Sequence, residues 1–394
     1  MKRKKTAVII LLILIFISVF TGGTVKAEDG SESDGNLEST VSDMLDKLDL
    51  SELENYSQIL DGFESFKGKT FKEKLIMLMK GDIQGEYSSV FSMIFSGIID
   101  NIKSKMPVFI SIFGLLILCG IINMVKPQFK GKSVSEIAYF LTFAVVISLT
   151  AYLIYEATDS AVSAIETMTN QIEIIFPIML TLMTVTGGTS SVGVYNPAML
   201  FVSNSIVIII KNVVFPIVTL MYVISVVGNL GGSIKLKSLY NFFQSLAKWI
   251  IGLITAVFSV FITVQGLTAG MYDGISLRAI KYTVNSSLPI VGGLIKDGMD
   301  MILASAVLIK NAVGTVAIIL IFSAILEPVI TVIAISLLLK LLAAVTEPIS
   351  DKRMTDFLGS VSNTLNFTLA GTVIIALMYF IIIVLLICSA NMLF

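Results

Sequence analysis

The chain of 394 residues contains no histidine. That removes imidazole acid–base chemistry, Ser-His-Asp triads and His-ligated metals. Its two cysteines, Cys119 and Cys388, both lie in apolar runs. They read as small buried hydrophobes rather than a disulfide or a metal site. Charge is scarce: 14% of residues are Asp, Glu, Lys or Arg, against about 25% in ordinary soluble domains. No basic patch with interleaved aromatics is present, which argues against nucleic acid as a partner. Gly266, Gly270, Gly274 and Gly314 lack the strand–loop–helix order and trailing Lys-Ser/Thr of a phosphate loop.

What is present is membrane-grade apolar sequence, with a mean hydropathy of +0.92. Several runs approach the roughly 20 residues needed to cross a bilayer. The expected fold class is all-α: a polytopic α-helical membrane protein with about seven to nine mature membrane segments, some short or re-entrant. The lipid bilayer is its first implied partner.

Residues 1–27 read as a signal peptide. Lys2, Arg3, Lys4 and Lys5 precede an apolar core from Ala7 to Phe20, and Val25-Lys26-Ala27 is a small-residue cleavage site ending at Ala27. The alternative is an uncleaved anchor; both place the next segment outside the cytoplasm. Residues 28–105 form an extracytoplasmic helical region with a disordered acidic start. It ends in an amphipathic helix from Ser88 to Asp100. Residues 106–394 form the membrane domain. Its first span is Pro107 to Val125, followed by a basic loop carrying Lys126, Lys130 and Lys132, which the excess of positive charge places in the cytoplasm. Val134 to Tyr155 returns outward, and the acidic stretch from Glu156 to Glu173 lies outside. Ile174 to Ile210, interrupted by Pro177, Gly187-Gly188 and Pro197, reads either as two short spans or as a re-entrant hairpin. Ala312 to Val345 is interrupted by Glu327-Pro328 and reads as one broken span or two.

One tract carries most of the charge found in apolar surroundings. From Thr263 to Gly314 it holds Asp273, Arg278, Lys281, Lys296, Asp297, Asp300 and Lys310, with Gly and Pro between them. Ionisable groups at membrane depth cost several kcal/mol unless they face protein or water. Read as a helix, Asp297, Asp300 and Asn311 share one face and Lys296 and Lys310 flank it. Such a stripe suits a helix lining an aqueous path or a subunit seam, or one lying at the membrane surface with its charges among headgroups. Lys211, Asn212 and Glu327 are further candidates for buried polar pairing, and Lys211 for snorkelling to the interface. Asp297 and Asp300, three apart on one helix, are a poor aspartyl-protease dyad, because that chemistry needs facing carboxylates.

The order Gln265-Gly266, Asp273-Gly274, Arg278, Lys281, Pro289, Gly292, Asp297, Asp300, Lys310-Asn311 and Gly314 resembles the stage III sporulation protein AE family. Leu50-Ser51-Glu52-Leu53, Gly187-Gly188 with Ser190, Pro197 and Pro348 extend the likeness over nearly the whole chain. The resemblance implies a multi-pass protein of the mother-cell membrane surrounding the forespore. Its implied partners are a secretion-type ATPase, ring-forming proteins and a forespore-side partner, together forming a channel that supports late forespore gene expression. It implies no enzymatic activity and no cofactor. A reading of another class is a stand-alone secondary transporter with Asp297, Asp300 or Glu327 as the coupling carboxylate.

Overall fold

The computed structural model describes residues 33–61, 64–80, 87–125, 132–186, 189–230, 236–287 and 292–389, with the side chains of 33–36, 38, 57, 64, 87–95, 122–125, 132–135, 138, 189–197 and 266–297 outside that description. Ala27 and Gly187-Gly188 therefore lie outside the described residues. Four short helices come first: α1 (Ser33–Lys47), α2 (Ser51–Glu54), α3 (Ser57–Leu60) and α4 (Phe71–Lys80). A reciprocal cap opens α4: the Thr70 N–H donates to Glu73 Oε2 at 2.8 Å and the Glu73 N–H to Thr70 Oγ1 at 3.3 Å. The Thr70 N–H holds the Glu73 carboxyl below its ordinary pKa. In α1 and α4, Val41, Leu45, Phe71 and Leu75 turn inward at helical spacing and are buried.

Long helices follow: α5 (Tyr87–Val125), α6 (Lys132–Val185), α7 (Thr189–Ile209), α8 (Phe215–Leu230), α9 (Lys237–Ser287), α10 (Gly292–Thr346) and α11 (Lys352–Cys388). A five-residue π-helical segment, Ile210–Val214, joins α7 to α8. No strand occurs among the described residues, and six helical stretches are long and apolar enough to cross a membrane. The all-α polytopic expectation holds.

The expected segments map onto fewer, longer rods. The lead-in helix at 88–100 and the first span are one helix, α5. Val134–Tyr155, the acidic stretch and 174–185 are one helix of 54 residues, α6. The Glu327-Pro328 interruption lies inside the 55 residues of α10. Pro177 and Pro328 each remove one backbone hydrogen bond, and packing against neighbouring helices holds the rod together. At the helical rise α6 and α10 each extend about 80 Å.

Contacts fix the register. Asn101 Nδ2 donates to Thr331 Oγ1 at 2.7 Å, and Gly120 abuts Ile349, so α5 runs parallel to the second half of α10. Ser336 and Ser362 exchange hydroxyl–carbonyl bonds, and Gly314 lies against Ile387, so α11 runs antiparallel to α10. Phe143 meets Phe357 edge-on and the hydroxyls of Thr169 and Tyr379 are 3.0 Å apart, so α6 runs parallel to α11. Tyr139 Oη donates to the Asn229 carbonyl, which closes α8 against the start of α6. The end of α5, the start of α6, the end of α8 and the Thr346–Asp351 turn thus share one end of the bundle. The short N-terminal helices pack on the other half: Thr40 Oγ1 reaches Met301 Sδ at 3.3 Å.

The core is divided along the bundle axis. One cluster joins Phe109, Ile112 and Leu116 of α5 to Tyr139–Ala157, Val332–Leu342 and Met354–Leu365. A second joins the N-terminal helices to Ala161–Met183, Ile309–Ile321 and Ile375–Leu386. Polar residues fill the level between them: Lys105, Glu156 and Asp159, then Glu327 and Thr331, then Asn366 and Thr368.

At Gly120 an added Cβ would come within 2.6 Å of the Ile349 carbonyl oxygen, whereas at Gly114 nothing lies within 4 Å. Gly120→Ala is expected to destabilise the purified protein by about 1–3 kcal/mol in detergent thermal unfolding. Gly114→Ala is expected to be neutral or to stabilise by up to about 1 kcal/mol. Equal behaviour of the two variants would contradict the close approach of α5 to the turn before α11.

Candidate functional site

The sequence-derived candidates fall in three places. The side chains of Asp273, Arg278, Lys281, Lys296 and Asp297 lie outside the described residues. Their backbone is helical, in α9 for the first three and α10 for the last two. Asp300, Lys310 and Asn311 lie in the first half of α10, and Lys211, Asn212 and Glu327 lie near mid-height.

Lys310 is 0% exposed. Its Nζ donates to the carbonyl of Ser389, the residue that caps α11. A cation there satisfies an orphan carbonyl and meets the negative end of the helix dipole. Lys310 therefore locks α10 to α11 and does not open onto an aqueous path. Gly314, one turn on, lets Ile387 approach at the same seam: a Cβ there would meet Ile387 Cγ1 at 2.3 Å. Ser305 Oγ and Asn311 Oδ1 are buried and lack hydrogen-bond partners. Asp300 and Asn311 are three turns apart, so the acidic start and Lys-Asn end of the stripe do not form one site.

At mid-height, Lys211 pairs with Glu166 of α6 at 2.5 Å. It is anchored to another helix rather than snorkelling to lipid. The π-helical turn that carries Lys211 precedes Pro216, which has no N–H to give the ladder. The Phe215 N–H bonds to the Ile210 carbonyl, five residues back, and such bulges recur at functional positions. Gly371 of α11 admits this turn, since a Cβ there would stand 3.1 Å from Ile210 and 3.2 Å from Phe215. Beside it an open groove of about 680 Å³ is lined by Val162, Lys211, Asn212, Phe215, Pro216, Thr219 and Leu220. Asn212 is exposed at its rim. Glu327 is exposed as well, which corrects its expected burial in a pair: Pro328, next to it, takes the inward position.

Sequence reasoning did not single out Glu166, or the ion pair between Lys105 and Glu156 that ties α5 to α6 at the polar level. It also missed Gln171, fully buried in α6 with neither amide atom hydrogen-bonded. Opposite charges at 105 and 156 gave no signal, because the pairing depends on helix register. Cys119 is buried as expected; Cys388 is exposed, because it ends α11 beyond the cover of its neighbours. No cluster of three or more potential metal ligands occurs among the described residues.

The family model for stage III sporulation protein AE matches residues 69–390. The chain belongs to the stage III sporulation protein AE family. The family's curated protein from Bacillus subtilis (strain 168) is 25% identical over 396 aligned positions, covering 100% of this chain and 99% of that one. No solved structure matches. The family match begins just before the α4 cap and takes in every long helix, the Lys310 seam and the polar level.

Lys310→Met removes the donor to the half-buried Ser389 carbonyl at the end of α11, a loss of about 1–3 kcal/mol. Lys211→Met breaks a pair whose acid is 57% exposed, a loss of about 0–1 kcal/mol. Thermal unfolding of the two variants in detergent is expected to rank Lys310→Met as clearly the less stable.

Proposed function

We propose that this member of the stage III sporulation protein AE family is a non-catalytic scaffold in the mother-cell membrane surrounding the forespore. In this reading it seats the other components of an intercellular channel: a secretion-type ATPase, ring-forming proteins and a forespore-side partner. The assembly would support late forespore gene expression. The observation that carries the scaffold reading is how the cations of the long helices are used. Lys105, Lys211 and Lys310 each bridge from their own helix to another, Lys105 and Lys211 to α6 through Glu156 and Glu166 and Lys310 to α11 through the Ser389 carbonyl. Charge spent on holding helices together fixes the shape of a platform. A transport site instead needs its charges turned toward a substrate. Any conduit role falls to the polar residues from Asp273 to Asp297 or to the groove at Asn212.

Two measurements test this reading. The pair Asp297→Asn with Asp300→Asn is expected to lower heat-resistant spore counts by about tenfold or more, because acids in an apolar tract persist there for a role. Neutralising Asp34 and Glu38, in the polar N-terminal region, is expected to leave counts unchanged; equal counts for the two doubles would remove any special role for the stripe. Separately, liposomes holding the purified protein and an internal pH dye are expected to dissipate a proton gradient no faster than empty ones. Proton flux that Glu327→Gln abolishes would instead favour the secondary transporter.

A further inference from the structure

A single uninterrupted helix crosses a bilayer once, because returning requires a turn. The second apolar halves of α6 and α10, each inside one rod of about 80 Å, are therefore not second crossings. A hydrocarbon core of about 30 Å covers well under half of such a rod.

The exposed side chains mark where the cover ends. Along α5 they change from Ser96, Asp100, Lys103 and Ser104 to Met106, Ile110, Leu118 and Ile121. Along α6 they change in the opposite chain direction, from Phe140, Leu141, Val145, Tyr152 and Tyr155 to Asp159, Ser163, Glu166, Asn170, Glu173, Thr181 and Thr184. From Asp159 to Glu173 that polar series repeats every three or four residues, and exposed Pro177 continues the same face to Thr181 and Thr184, so it forms one stripe along the helix. Along α10 the exposed residues from 303 to 346 are Ser323 and Glu327 on one side of Thr331, and Leu337, Lys340, Leu341, Ala344 and Val345 on the other, while Ile302 is exposed nearer the start of the helix. All three changes fall at the level of the Lys105–Glu156 pair and the Asn101–Thr331 bond. The hydrophobic core divides at the same level. Tyr152 and Tyr155, exposed just below it, sit where aromatic side chains favour a membrane–water boundary.

We propose that on the α5–α6–α10 side the bilayer ends at the Lys105–Glu156 level. The outer halves of α6, α10 and α11, with the N-terminal helices packed on them, stand in water as an extramembrane stalk. The α6 stripe from Asp159 to Thr184 is its water-facing surface. The change does not occur on α9, where Leu253, Val257, Val260 and Val264 stay exposed past that level. Lipid reaches higher on that side, and the bilayer edge runs obliquely round the bundle. This inference does not depend on the scaffold reading, because it concerns only which surfaces meet lipid.

The test is spin-label accessibility in liposomes of phosphatidylcholine and phosphatidylglycerol, using the full chain with Cys119→Ser and Cys388→Ser. Single cysteines replace Asn170, Thr181, Val145, Ile110 and Val260. Relaxation by a water-soluble nickel chelate is expected to be about tenfold or more stronger at Asn170 and Thr181 than at Val145 and Ile110, because charged reagents are excluded from hydrocarbon. Oxygen, which concentrates in hydrocarbon, is expected to relax Val145, Ile110 and Val260 more strongly. Oxygen-dominated relaxation at Asn170 and Thr181 would place the outer half in lipid and overturn the stalk. Nickel access at Val260, or access of neither reagent there, would overturn the oblique edge. Circular dichroism of each labelled variant identifies any that fails to fold, and Ser163→Cys then replaces it on the stripe.

Discussion

The backbone of a membrane protein must satisfy its own hydrogen bonds, and a helix does so only along its own axis. That constraint governs the whole molecule. Once α6 and α10 run unbroken for 54 and 55 residues, neither can double back through the membrane. Everything else follows from matching rods of that length to one bilayer. The core splits into two clusters, with polar side chains collected at the level between them. The neighbouring helices α5, α8 and α11 are held in register by bonds spread over both halves. Lys310 and Gly314 serve the same end at the far seam, one by capping α11 and the other by letting Ile387 approach.

The class of the fold was legible in the chain. Scarce charge and long apolar runs require membrane helices, and the acidic stretch from Glu156 to Glu173 and the Glu327-Pro328 interruption were visible as polar punctuation, with Glu156 and Glu327 falling where the core divides. The meaning of that punctuation was not legible. Pro177 and Pro328 read as breaks because an isolated helix loses a bond and meets a clash at such a residue. Here each lies in a helix packed against neighbours, Pro328 facing inward and Pro177 outward, and those neighbours supply the stability that the local sequence withholds. Only Pro216 left a mark on the ladder, as the π-helical turn before it.

The site residues divided in the same way. Lys310 was recognisable as a lysine out of place, and it is indeed fully buried. Its partner, a carbonyl at the end of another helix, has no sequence signal. Lys211 was visible and Glu166 was not, because a glutamate in an acidic stretch looks solvated until register sets it opposite a lysine. Glu327 misled for the converse reason: the Glu-Pro dipeptide looked like a buried break, and its carboxylate faces outward. Membership of the stage III sporulation protein AE family supplies the biological setting, and the helix contacts supply the argument that charge here serves assembly.

The central claim is that α6 is a single rod rather than a hairpin of short segments. Pulsed electron–electron spin spectroscopy between labels at Phe140 and Thr184 tests it most directly, since both positions are exposed. Forty-four residues of continuous helix at 1.5 Å each separate them by about 66 Å. A narrow distribution near that value, in liposomes, is the result this account predicts. A dominant distance of about 30 Å or less would mean that the chain folds back within the membrane, and the two-level bundle would have to be abandoned.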